Sequence, residues 1–163
     1  HNDVLAGVVV TNSLELYEKL FYNLNTTGAV LSPFDSYQLI RGLKTLSLRM
    51  ERSTANAQEV VAFLKASPAV KEVLYTGRGG MISFKVADEK RIPHILNSLK
   101  VFSFAESLGG VESLITYPTT QTHADIPAEV RHSYGLTDDL LRLSIGIEDA
   151  RDLIADLRQA LEG

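Results

Sequence analysis

Val4-Leu5-Ala6-Gly7-Val8-Val9-Val10 opens the chain as an unbroken apolar run with three adjacent β-branched residues. Such a run reads as a strand buried on both faces. Chain termini tend to lie at the surface, so a buried strand this early is unusual. Two readings stand: an edge strand pinned to a small sheet, or a piece of a longer protein whose sheet neighbours lie upstream. The polarity then turns helical. Asn12, with Glu15 completing a capping box, starts a helix whose stripe is Leu16, Leu20, Phe21 and Leu24 and which Asn25-Thr26-Thr27-Gly28 breaks. Ser32-Pro33-Phe34-Asp35 is a second start signal: a capping hydroxyl, a proline in the first turn and an acid near the positive end. The seam Leu39, Leu43, Leu46, Met50, Ala57, Val61, Leu64 predicts one helix from Pro33 to Lys65. At roughly 1.5 Å per residue it spans nearly 50 Å, which suits a bridge between domains, with a bend near Gly42 or Ser53-Thr54.

After Ser67-Pro68 the pattern changes. Val70–Tyr75 reads as a strand, and Met81–Val86 alternates apolar and polar like a half-solvated antiparallel strand. Asp88–Leu99 reads as a helix, Val101–Ala105 and Glu112–Tyr117 as strands, and Pro127–Tyr134 as a short helix ended by Gly135. Leu140–Ile145 is a further strand, and Ile147–Leu161 a closing amphipathic helix. The C-terminal part is therefore α+β, with helices on one face of a mostly antiparallel sheet.

Composition narrows the chemistry. The net charge of −4 lacks the basic field that nucleic-acid binding needs. No apolar run approaches the roughly 20 residues of a membrane-spanning helix. Without Cys there is no disulfide, thiolate metal site or cysteine nucleophile, and the chain fits a reducing compartment. His1, His94, His123 and His132 lack metal-ligand spacing. Thr122-His123-Ala124-Asp125 reads as a loop satisfying its own backbone rather than a catalytic pair.

Two places hold candidate chemistry. In the strand Leu140–Ile145, Leu141, Leu143 and Ile145 share one face while Arg142 and Ser144 share the other. Arg142 is then either a solvated surface charge or a fork for a carboxylate, the planar bidentate pairing at which Arg surpasses Lys. Ala105-Glu106-Ser107-Leu108-Gly109-Gly110-Val111-Glu112-Ser113 places an acid, a hydroxyl and two glycines just past a strand end. It is either an ordinary connection or a backbone shaped to approach a ligand closely.

The segments Ala105–Leu114, Thr122-His123-Ala124 and Leu141–Asp149 closely resemble the C-terminal part of the pyridoxal-phosphate enzymes of cysteine and methionine metabolism. Ser32-Pro33-Phe34-Asp35, Arg41-Gly42-Leu43-Lys44-Thr45-Leu46 and the opening His1-Asn2-Asp3-Val4-Leu5-Ala6-Gly7 also match at the right spacing. The likeness covers almost the whole chain. It is strongest to the branch that makes or cleaves cystathionine, the γ-synthases and the β- and γ-lyases, with O-acetylhomoserine sulfhydrylases beside them.

The resemblance implies an α/β fold: the end of a fold-type I large domain (residues 1–50, including the start of the bridging helix) and a small C-terminal domain (51–163). It implies pyridoxal 5'-phosphate in the full-length parent, with none held covalently by this chain. The family's Schiff-base lysine precedes the position matching His1, and none of Lys19, Lys44, Lys65, Lys71, Lys85, Lys90 or Lys100 occupies it. By the same likeness Arg142 grips the substrate α-carboxylate, Ser107 lies beside that carboxylate, and Glu106 is an acid at the mouth of the site tied to substrate preference. Together they would hold an amino acid for loss of its α-proton, with the cofactor ring as electron sink. An amino-acid substrate, a cytoplasmic setting and a homo-oligomeric parent, a tetramer, follow. For the isolated chain the resemblance implies no activity. Unpaired edges and apolar faces in Val4–Val10 favour a dimer or a rearranged N-terminal segment, the alternative being that this stretch folds against the long helix. One departure stands out: Tyr75-Thr76-Gly77-Arg78-Gly79 crosses directly where family members carry a longer segment, through either a true deletion or a cleaved or disordered loop.

Overall fold

A computed structural model describes residues 1–163, which divide into two compact units, His1–Leu46 and Ser47–Gly163.

The first unit holds two helices. In α1 (Leu14–Thr27) the cap is Ser13, whose hydroxyl accepts from the Leu16 N–H. The start signal thus sits one residue beyond Asn12, and Glu15 reaches forward to Lys19 instead of completing a box. Gly28 ends the helix at φ 69°, in the left-handed region where glycine meets no Cβ penalty. In α2 (Pro33–Leu43) the Ser32 hydroxyl accepts from the Asp35 N–H as its sequence predicts. The single long helix does not form. Thr45 N–H bonds back to Gly42 O in a tight turn, so α2 stops and α3 (Leu46–Ala66) begins anew. Gly42 weakens helix propagation at the place where the bend was expected.

Val4–Val10 is not a strand. Its backbone has no regular structure, and Leu5 (97%) and Val8 (86%) are almost fully exposed. A β-branched run becomes a strand only when another strand meets its N–H and C=O groups. All five strands of the sheet come from residues 70–144.

The second unit is an α+β layer. Its strands are β1 (Val70–Leu74), β2 (Met81–Val86), β3 (Ser103–Phe104), β4 (Leu114–Thr116) and β5 (Leu140–Ser144), in spatial order β1-β2-β5-β4-β3. Only β3 and β4 run parallel. The remaining helices are α4 (Ile92–Ser98, after a 3-10 turn at Glu89–Arg91), α5 (Ala128–Ser133) and α6 (Ala150–Glu162). Ile82, Phe84 and Val86 face the core from β2, and Leu141, Leu143 and Ile145 from β5 and its end, as the period of two requires. Against them pack Ala57, Val60, Val61 and Leu64 of α3, Ile92 and Ile95 of α4, and Leu153, Leu157, Ala160 and Leu161 of α6. The seam read for the long helix is thus buried only in its later half; Leu39, Leu43, Leu46 and Met50 are exposed. The helix α6 begins three residues later than its stripe suggests. Asp149 caps it by accepting from Arg151 N–H, and Ile147 remains outside.

The short crossing between β1 and β2 closes on itself. Tyr75 donates its hydroxyl to Gly79 O (2.9 Å), Thr76 donates to Arg78 O (3.1 Å), and Gly79 N–H reaches Thr54 of α3 (3.0 Å).

One buried acid fixes the approach to β3. Asp156 of α6 is 5% exposed and accepts from the amides of Lys100, Val101 and Phe102 at 2.7–3.1 Å. Removing it leaves those amides without their acceptor, the Phe102 amide in a buried position. Asp156→Ala is expected to lose roughly 3 kcal/mol of stability in urea unfolding, while Asp156→Asn, which keeps one acceptor, loses less.

Candidate functional site

Because β5 buries Leu141 and Leu143, Arg142 must leave the sheet on the face opposite the helices. There it stands between Ser83 of β2 and Thr116 of β4, its neighbours in register. Its side chain is half-buried. Nη2 donates to the backbone carbonyl of Glu106 (2.9 Å) and to Thr116 Oγ1 (3.1 Å), and Thr116 passes its own proton to Ala105 O (2.7 Å). Nε is buried and has no partner. A guanidinium carries five donors in a fixed fork. Here one nitrogen is committed to protein acceptors, and a buried donor remains unsatisfied. Burial pushes the Arg142 pKa down, and the Glu106 carboxylate acts against that shift. The group stays charged regardless, as arginines do.

Glu106 and Ser107 lie at the start of the 105–113 connection, and both side chains are exposed. The structure brings Glu106 to Arg142 through its carbonyl, with no direct ion pair between the two side chains. The cation is therefore not neutralised by its nearest acid. Ser107 follows Glu106 directly, with its hydroxyl open to solvent.

Sequence reasoning missed the partners that make this corner rigid. Thr116 reads from the sequence only as part of a strand, though its register opposite Arg142 decides its role. The buried Arg131 of α5 also escaped notice. It donates to the carbonyls of His123 (3.4 Å) and Ile126 (3.2 Å) and pairs with Asp138 (3.0 Å). It thereby holds the loop carrying Thr122 and His123, whose side chains bond each other at 2.7 Å. No three His, Cys, Asp or Glu residues cluster as metal ligands would, and no helix is long and apolar enough to cross a membrane.

Residues 1–162 match the family model described as Cys/Met metabolism PLP-dependent enzyme. The chain belongs to that family. It is 56% identical over 160 residues to cystathionine gamma-synthase of Haemophilus influenzae, covering 98% of this chain and 43% of that protein. To cystathionine gamma-lyase of Bacillus subtilis it is 49% identical over 178 positions, covering 99% and 47%. Among solved structures it matches cystathionine gamma synthase from Xanthomonas oryzae pv. oryzae in complex with aminoacrylate and cysteine. That match has a TM-score of 0.92 at 40% identity, over 99% of this chain and 46% of the other. The chain thus spans less than half the length of these relatives. The family is pyridoxal-phosphate-dependent and its solved members are fold-type I enzymes, so the α+β layer is the C-terminal portion of that fold.

Lys85 of this chain is not poised to hold the cofactor as an imine. A lysine that forms an imine must shed its proton, which requires a depressed pKa. Lys85 is hydrogen-bonded to Glu72 (2.8 Å), which pushes its pKa up. What the chain does offer is a half-buried guanidinium on Arg142, with Nη2 bonded to protein acceptors and Nε without a partner.

Proposed function

We propose that this chain is the substrate-carboxylate portion of a trans-sulfuration enzyme of the cystathionine γ-synthase type. The observation that carries the reading is the Arg142 guanidinium: half-buried, anchored through Nη2 alone, and unpaired at Nε beside the Glu106–Ser107 corner. A substrate α-carboxylate docked there is fixed in orientation by the fork, Ser107 adds a hydroxyl donor, and exposed Glu106 meets whatever group approaches from solvent. In the overall reaction the cysteine sulfur bonds to Cγ of an activated homoserine. The Cγ–O bond breaks, the acyl group leaves as its carboxylate and the thiol proton goes to solvent. Pyridoxal phosphate, when bound, supplies the electron sink for this exchange.

Alignment length favours a synthase over a β- or γ-lyase. The alignment with the Bacillus subtilis γ-lyase runs to 178 positions, more than the 163 residues of this chain, so that lyase carries positions this chain lacks. The γ-synthase alignment, at 160, does not exceed it. The self-closed Tyr75–Gly79 crossing agrees with a native short connection rather than a cleaved one.

In this reading residues 1–50 complete a large cofactor domain, whose remainder covers the apolar positions that α1 and α2 leave exposed. The 163-residue chain alone is then an inactive folding and association module, and the parent a homo-oligomer. Two experiments test it. Protein of the relatives' length, given an activated homoserine plus cysteine, is expected to yield cystathionine faster than it cleaves cystathionine; dominant cleavage overturns the synthase assignment. The 163-residue chain treated with pyridoxal phosphate and borohydride is expected to show no stoichiometric labelling of a single lysine.

A further inference from the structure

The 105–113 connection joins two parallel strands without a helix, an unusually short link for parallel pairing. Its backbone therefore needs outside support: β4 bonds Ala105 at its start, and beyond that the support comes from β5 and its continuation. Arg142 Nη2 holds Glu106 O (2.9 Å). Two residues on, Ser144 Oγ accepts from Gly109 N–H (2.8 Å). Two further, Gly146 has no side chain, and any Cβ there would overlap the Val111 carbonyl oxygen and stand 2.6 Å from Glu148 Oε2. Two further again, Glu148 accepts from Ser113 N–H (2.6 Å) and Ser113 Oγ–H (2.8 Å), and Ser113 Oγ accepts in turn from Gly146 N–H (2.9 Å). Between these side-chain rungs Ile147 N–H bonds to Val111 O (2.9 Å). The spacing of two begins in β5 and continues past its end, so a guanidinium, a hydroxyl, a gap and a carboxylate meet the connection in succession. Ser113 is fully buried and Ser144 is 3% exposed. Asn56 of α3, 1% exposed, fixes the far end by donating to Gly146 O (3.2 Å) and Glu148 O (2.8 Å).

We propose that Ser144 and Glu148 are positioning residues: they suspend the 105–113 connection from β5 and so set Glu106 and Ser107 beside the Arg142 fork. The proposal rests on the carboxylate-binding reading for its functional consequence, but the suspension itself can be measured without activity. Neither residue touches substrate in this account, since both act on backbone groups of the connection.

Ser144→Ala is the cleanest probe, because it deletes one acceptor and leaves a small apolar side chain in a buried strand. In the 163-residue chain, amide exchange at Gly109 is expected to accelerate about fivefold, the effect of one net hydrogen bond. In the holoenzyme of the relatives' length, the Michaelis constant for the amino-acid substrate is expected to rise by about the same factor, with kcat within about twofold. Ser144→Thr, which restores the hydroxyl, returns both readings toward the original. Glu148→Gln, which keeps one acceptor for Ser113, is expected to fall between the original and Glu148→Ala. Unchanged Gly109 exchange in Ser144→Ala overturns the proposal, and so does faster exchange with an unmoved Michaelis constant. If Arg142→Ala also leaves the Michaelis constant unmoved, it is the carboxylate reading that fails, and Gly109 exchange alone then decides whether Ser144 holds the connection.

Discussion

Arg142→Ala, in the holoenzyme of the relatives' length, is expected to raise the Michaelis constant for the amino-acid substrate by about 100-fold, with kcat and pyridoxal-phosphate affinity far less affected. The magnitude follows from one charge-assisted hydrogen bond, worth about 1.5–3 kcal/mol when both partners are partly desolvated. The direction follows from the proposed role: a carboxylate held by the fork would be the same in ground and transition states, and losing such uniform binding moves KM more than kcat. Arg142→Lys is expected to recover only part of the loss. An ammonium restores the charge but not the planar pair of donors, and it cannot keep the bonds to Glu106 O and Thr116 Oγ1 while gripping an anion. An unchanged Michaelis constant in Arg142→Ala would remove the carboxylate assignment.

The second large effect is steric. Gly146→Ala is expected to destabilise the second unit by about 3 kcal/mol, because the added methyl meets backbone rather than a movable side chain. Gly109→Ala provides the contrast. Gly109 has open space where a Cβ would go but sits at φ 73°, so its substitution is expected to cost about 1 kcal/mol through backbone conformation alone. Urea unfolding of the two variants measures the difference. Equal losses would mean that the Gly146 contact relaxes at little cost and that the connection is not tightly clasped against the end of β5.

The same corner shows how far the sequence could be read. That Arg142 and Ser144 share a face was legible from strand period alone, because Leu141, Leu143 and Ile145 leave no other choice. What lies across from them was not legible. The opposition of Thr116 and Arg142 is a matter of register between segments distant in the chain, and nothing local encodes it. Glu148 has a role that its position alone does not reveal. An acid before a helix reads as a complement to the helix dipole, yet its carboxylate turns away to Ser113 while Asp149 does the capping. Asp156 looks like an ordinary polar position on an amphipathic helix, and only the folded chain delivers three amides to it. Val4–Val10 failed for the reason that strand propensity always can: the run has the right residues but no partner backbone. In α2 and α3 the apolar spacing continued across Lys44-Thr45 although the hydrogen bonds did not, so periodicity alone joined two helices into one.

Everything functional in this account depends on a carboxylate being read by Arg142. The most direct measurement is a two-by-two comparison of dissociation constants: the amino-acid substrate and its carboxamide, each with the original holoenzyme and with Arg142→Ala. The original is expected to bind the acid about 100-fold more tightly than the amide, and the variant to bind the two alike. Undiminished preference for the acid in Arg142→Ala would contradict this reading, placing the carboxylate at some other cation.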